Sequence, residues 1–144
     1  MSVYLDRADQ IEALIEGLFN EGQVAVVVDR QKDITAEFNK RIGKVKGGVA
    51  VIEWLGADSA NVDLDEPRVV SKYSVTVITK PIIRDHAELL PIDDLVESIA
   101  SALHGYNPDA NHCLDSMRVT SIAPVANQQF RIYIIRAEQE LQSP

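Results

Sequence analysis

The stretch Pro91–Tyr106, PIDDLVESIASALHGY, carries the clearest periodic signal in the chain and decides how the rest is read. Ile92, Leu95, Val96, Ile99, Ala102, Leu103 and Tyr106 recur at intervals of three and four, which gathers apolar side chains on one stripe of a helix. Asp93, Asp94, Glu97, Ser98 and Ser101 fill the other face. Pro91 suits the first turn, where its missing N–H costs nothing. The acids at 93, 94 and 97 complement the positive end of the helix dipole, and Gly105 can take the left-handed conformation that ends a helix. Such a stripe must be buried against something. The flanking segments, Arg68–Thr79 before it and Met117–Ile122 and Phe130–Arg136 after it, read as strands, so a helix lying across a sheet is expected.

Outward from the helix, the strand RVVSKYSVTVIT (68–79) alternates Val69, Tyr73, Val75 and Val77 with Lys72, Ser74 and Thr76, the pattern of a half-buried antiparallel strand. Phe130, Ile132 and Ile134 share a face of the last strand, and Pro124–Gln129 has the length and polarity of a hairpin connection. Leu95, Ile99 and Leu103 are therefore expected to be buried against Tyr73, Val75, Ile132 and Ile134. Toward the N-terminus, Asp6–Glu21 holds Ile11, Leu14, Ile15, Leu18 and Phe19 at helical spacing before Gly22. Gln23–Val28 is a β-branched run suited to a buried strand. Residues 33–42 fit a short helix capped by Asp33. Gly47 and Gly48 then break the chain ahead of the strand Val49–Leu55, and GADSANVDLDEP (56–67) reads as a long loop. Strands that come in consecutive pairs imply an α+β fold: an antiparallel or mixed sheet of about five strands with two main helices packed on one face.

The length of 144 residues matches one domain, 1–144, large enough to need no metal or crosslink for its core. A single cysteine, Cys113, excludes an internal disulfide. No window approaches a membrane span, and the first residues lack the pattern of an export signal, so the expectation is a chain with no membrane partner. The net charge of −8 disfavours nonspecific attraction to nucleic acid or anionic membranes. That charge is uneven. Arg30–Lys46 holds six basic residues against Asp33 and Glu37, whereas Asp58–Glu66 holds Asp58, Asp63, Asp65 and Glu66 with no basic residue. Two solvated surfaces account for this equally well as a pair of complementary patches for self-assembly.

The search for catalytic chemistry is mostly negative. The chain has no Gly-rich phosphate loop, GxSxG, HExxH or paired CxxC, and no cofactor site is indicated. His112 and Cys113, with Asp109 and Asp115 nearby, lack the spacing and the second pair that a tetrahedral metal site needs. Cys113 with His104 or His86 can be drawn as nucleophile and base, but any chain with one Cys and three His allows that. His104 is better placed to meet the last carbonyls of its helix, and Asp93 and Asp94 to act as first-turn acids. Trp54, at the end of a strand, reads as a core-edge residue rather than an interface anchor.

A resemblance rests on the order of three segments. The run GGVAVIEWLG (47–56), the strand RVVSKYSVTVIT after a polar loop, and DDLVESIASALHGYNP (93–108) with a hairpin ending FRIYIIRAEQEL (130–141) resemble the tail terminator and tail completion proteins of long-tailed bacteriophages, including the minor tail protein U type. The helix ending ALHGY followed by Asn107 and Pro108 is similar to a Leu-x-Gly-aromatic helix end in those proteins. The resemblance covers about residues 8–140. It implies a non-enzymatic virion protein, made in the host cytoplasm, that assembles with itself into a hexameric ring. Such a ring caps the head-proximal end of the tail tube, ends tube polymerisation and offers a surface for head–tail joining. Its implied partners are the tail tube protein, neck or connector proteins and, where one is present, a sheath or sheath terminator, while DNA passes the lumen without specific binding. Alternatives of the same size are a neck completion protein at an adjacent station and a cytoplasmic adaptor module. For a ring, Lys40, Arg41 and Lys44 against Asp63, Asp65 and Glu66 are the candidate subunit contact. Asp58, Asp63, Asp65 and Glu66 are the candidate lumen residues, and the two roles compete for the same acidic loop.

Overall fold

The alternating strand at 68–79 forms as expected and lies at the centre of a five-stranded sheet. It is β3 (Arg68–Thr79), paired antiparallel over its whole length with β2 (Gly48–Ser59) on one side and β5 (Arg131–Gln142) on the other. The computed structural model describes residues 3–19, 23–29, 34–42, 47–59, 68–79, 92–107 and 116–142. Outside β2 lies β1 (Val24–Val28), parallel to it, and outside β5 lies β4 (Arg118–Val125), antiparallel. The order β1-β2-β3-β5-β4 makes the sheet mixed, with one parallel pair. A parallel pair needs a crossover, and the helix expected between residues 33 and 42 supplies it as α2 (Ile34–Ile42).

The two longer helices, α1 (Val3–Glu16) and α3 (Ile92–Leu103), pack together on one face. Leu95, Ile99 and Leu103 of α3 and Ala8, Ile11 and Ile15 of α1 are buried against Val26, Ala50, Ile52, Tyr73, Val75, Ile135 and Ala137. The apolar core is edged by polar ties that keep the helices in register with the sheet. The Tyr73 hydroxyl donates to the Tyr4 carbonyl (3.1 Å), the Tyr106 hydroxyl to the Gln10 carbonyl (3.4 Å), and the buried Gln139 side chain to the Tyr106 carbonyl (3.2 Å). Gly105 ends α3 with φ of 88°, the left-handed conformation its position called for. Its N–H then donates to the Met117 carbonyl (2.7 Å), and the Met117 N–H donates back to the Tyr106 carbonyl (2.9 Å), leading the chain into β4. On the opposite face α2 covers the β1–β2 side and reaches Phe130 ahead of β5. Ile42 packs on Ala25, Val27 and Val49, and Phe38 meets Phe130 edge-on at 5.6 Å.

The structure corrects several boundaries and one face. Ile132 and Ile134 do share a face of β5, but it is the back face. Register sets Ile135 opposite Val75 and Ala137 opposite Tyr73, so Tyr133, Ile135, Ala137 and Gln139 point to the helices. In an unbroken apolar run, Ile-Tyr-Ile-Ile, composition does not distinguish the two faces, and only the partner strand does. β2 does not stop at Leu55. Leu55 is an extra residue in a bulge, Gly56 follows with φ of 107°, and pairing resumes from Lys72 to Val69. Of the expected 56–67 loop, residues 60–67 lie outside the described residues. α1 begins three residues earlier than expected and ends at Glu16, where the Leu18 N–H turns back to the Ile15 carbonyl (3.0 Å) and swings Phe19 against the core. β4 runs through Pro124 and β5 to Gln142; an edge strand tolerates a proline whose ring points away from the ladder.

Gly48 is the first residue of β2 rather than a break. A Cβ there would lie 2.6 Å from the Ile78 carbonyl oxygen, which is backbone and cannot swing aside. Gly48→Ala is expected to destabilise the fold by about 1–3 kcal/mol through overpacking, read as a shift of the urea midpoint with an unchanged slope. Ile99, fully buried in the middle of the α3 stripe, sets the opposite test. Ile99→Ala should cost about 2–5 kcal/mol by leaving a cavity, and a loss under about 1 kcal/mol would show that α3 is not central.

Candidate assembly surface

The candidate residues from the charge pattern fall on two separated parts of the molecule. Lys40 and Arg41 sit exposed in the last turn of α2, where cations complement the negative end of the dipole; the Arg41 Nε lies 3.8 Å from Glu37 one turn before. Ile42 anchors that end of the helix over Val49, near the start of β2. Asp58 is near the far end of β2, exposed, opposite Val70. Gly48 and Asp58 are partnered by Thr79 and Val70, nine residues apart on β3, a span of ~30 Å along the strands. Lys44, Asp63, Asp65 and Glu66 lie outside the described residues. The described basic and acidic candidates are therefore not brought together within one subunit.

Asp58 already has a partner of its own. It accepts a 2.6 Å hydrogen bond from the Lys72 ammonium across the β2–β3 ladder. Trp54, earlier on β2, is held on both sides: the indole N–H donates to the Ser71 hydroxyl (3.0 Å), and the ring stacks on Tyr4 at 4.5 Å and 9°. This is the core-edge position expected of it.

A surface that the sequence did not reveal lies at the other edge of the sheet, between α3 and β4. It is an open groove of about 650 Å³ with an apolar floor of Val96, Ala100, Val119, Ile122 and Tyr133. Asp93 and Glu97, both exposed, form its acidic rim, and Ser101 and His104 close the far end. Val119 and Ile122 are three apart, which on a regular strand puts them on opposite faces. Thr120 is an extra residue in a bulge, and this brings both onto the helix side. His104 does not reach back to its helix carbonyls; its Nδ1 accepts from the Val119 N–H (3.3 Å) and ties the end of α3 to β4. Asp93 and Asp94 stand in the first turn of α3 as expected. His86, His112, Cys113, Asp109 and Asp115 lie outside the described residues, and among the described residues no group of three or more metal-binding side chains forms. No described helix is long and apolar enough to cross a membrane.

No protein-family model matches the chain, and no curated protein sequence matches it. A solved structure does share its fold. A chain of the virion of a native gene transfer agent (GTA) particle superposes with a TM-score of 0.57 at 12% identity, covering 99% of this chain and 96% of that one. The likeness thus spans both chains end to end.

Among the described residues, these surfaces offer contacts suited to binding a partner. The groove offers about five apolar side chains for contact and two carboxylates for orientation, while α2 offers a cationic turn at the opposite edge. The Asp58–Lys72 pair is a solvated interaction across the distal part of the β2–β3 ladder. The hydrogen bond from Lys72 to Asp58, and next the Asp58 charge, raise the Lys72 pKa above its ordinary 10.5. A lysine whose folded pKa is raised adds stability that is fully present below the unfolded value and is lost as pH rises through the folded one. Asp58→Asn should lower the Lys72 pKa toward the ordinary value in an NMR titration of the side chain, with any stability difference from wild type confined to pH below that alkaline transition. An unchanged Lys72 titration would mean that the pair does not persist in solution.

Proposed function

We propose that this protein is a structural virion component that assembles into a hexameric ring capping the head-proximal end of a phage-type tail tube, where it ends tube polymerisation and presents a head-joining surface. The observation that carries the reading is the end-to-end fold likeness to a chain of a virion particle, at nearly equal length. The order of sequence segments GGVAVIEWLG, RVVSKYSVTVIT and DDLVESIASALHGYNP, which resembles the tail terminator type, supports the finer role. Its surfaces suit a self-assembling part: two different patches at two different edges of a sheet, the arrangement that heterologous ring contacts require. The acidic run Asp58, Asp63, Asp65 and Glu66 is assigned to the DNA path, where negative charge keeps the phosphate backbone from sticking. Lys40, Arg41 and Lys44 are assigned to the subunit contact.

Native mass spectrometry of the purified protein tests the ring directly, with six copies of 15.9 kDa expected at high protein concentration. Co-expression with the tail tube protein of the same virion should shorten the tubes seen by electron microscopy and place the ring at one end. A ring that never touches the tube end but joins connector proteins instead would move the protein to the adjacent neck station. With Asp58, Asp63, Asp65 and Glu66 all changed to Lys, the ring should retain double-stranded DNA in a salt-sensitive manner that wild type does not show. Equal retention by wild type would remove these residues from the DNA path.

A further inference from the structure

We infer that the groove between α3 and β4 is one half of the subunit contact, and that its occupant is the β1 edge of a second copy of this chain. The cationic last turn of α2 would meet the groove's acidic rim. This rests on the ring reading above and names the surfaces that close it.

The first argument is charge. Each copy carries −8, so neighbours repel on average, and a contact is favoured where the sign is locally reversed. Lys40 and Arg41 are exposed at the β1–β2 edge, and Asp93 and Glu97 are exposed at the β4 edge. The second argument is apolar complementarity. Leu18, in the turn after α1, is 39% exposed, while Phe19 and Val24 pack against the core. The groove floor at the other edge is apolar, and Ile122 on it is 47% exposed.

The third argument is level. Through the ladder, Val26 pairs with Ala50, Ala50 with Val77, and Val77 with Tyr133; likewise Val28 leads through Ile52 and Val75 to Ile135 and Ile122. The Tyr133 and Ile122 part of the groove therefore shares rows with the β1 edge, four strand spacings or ~19 Å away, while Val119 lies past the end of β1 in the row of Ala137, Tyr73 and Trp54. Two different patches on opposite flanks can pair head to tail from copy to copy, the heterologous contact that a ring uses. This pairing leaves Asp58, Asp63, Asp65 and Glu66 to the DNA path alone, so the two roles no longer compete for the same residues.

Disulfide trapping reads the contact directly. In a Cys113→Ser background, Asn39→Cys marks the exposed side of α2 and Ser101→Cys marks the groove; both positions are exposed, so neither change disturbs the core. Mixing the two single variants under mild oxidation should give a covalent dimer, whereas each alone should not. A double variant should give a ladder ending at the ring. As a second readout, Glu97→Lys should raise the midpoint concentration for ring formation at low salt by about five-fold, and Lys40→Glu with Arg41→Glu should restore it. Rings that form without any mixed cross-link, or with Ser101→Cys linking to itself, overturn the groove contact while leaving the ring reading intact. Wild-type protein that stays monomeric at all concentrations and in the presence of its tube protein overturns both.

Discussion

Everything in this molecule hangs on the seating of Tyr73 and Val75. These two residues of β3 are flanked in the sheet by Trp54 and Ile52 on one side and by Ala137 and Ile135 on the other. They share one buried cluster with Leu95, Ile99 and Leu103 of α3 and with Ile11 and Ile15 of α1. Side chains on a strand alternate, so fixing this pair toward the helices fixes the facing of every other strand through the ladder. The polar ties then refine the arrangement: the Tyr73 hydroxyl reaches the backbone of α1 at Tyr4, which in turn stacks on Trp54. A stack of that kind contributes about 0.5–1.5 kcal/mol beyond area burial, small beside the burial of the isoleucines and leucines beneath it.

Elements whose signals are local were legible in the sequence. α3 carries its stripe, its first-turn acids and its terminal glycine within sixteen residues, and β3 carries its alternation within twelve, so neither needs a partner to be recognised. Features that depend on a partner were not. The facing of β5 turns on its register with β3, because Ile132, Tyr133, Ile134 and Ile135 are apolar on both faces. The continuation of β2 past Gly56 was hidden because a glycine between strands reads as a loop, while here its positive φ serves a bulge inside an unbroken hairpin. The groove was hidden for the same reason at Thr120, where one extra residue re-aims Val119 and Ile122 to the same side. In each case the deciding quantity is a pairing between strands far apart in sequence.

The charge pattern illustrates a different limit. Composition separates a basic run from an acidic one but says nothing of where each lands. The structure puts Lys40 and Arg41 beside the start of β2 and Asp58 near its far end, with Asp58 engaged by Lys72 across the hairpin. Both side chains of that pair are solvated, so its contribution is small and screened by salt. The acidic residues of α3 are differently placed. Asp93 and Glu97 stand along an apolar floor, where a neighbour that covers the floor also excludes water from the charges and strengthens their attraction to a cation.

That coupling divides the work at such a contact. Apolar side chains of the floor supply the driving force, because their burial is favourable in proportion to the area covered and indifferent to orientation. Charges at the rim contribute less energy but depend on direction, so they select which surface of the neighbour is accepted and in what register. In a chain of net −8, the cationic turn of α2 is one described surface able to make that selection. Its position follows from topology: a parallel β1–β2 pair requires a crossover helix, the crossover lies over β1 and β2, and so the reversed sign is carried to the edge of the sheet opposite β4. The one parallel pair in an otherwise antiparallel sheet thereby gives the subunit two unlike flanks, and unlike flanks are the condition for head-to-tail closure.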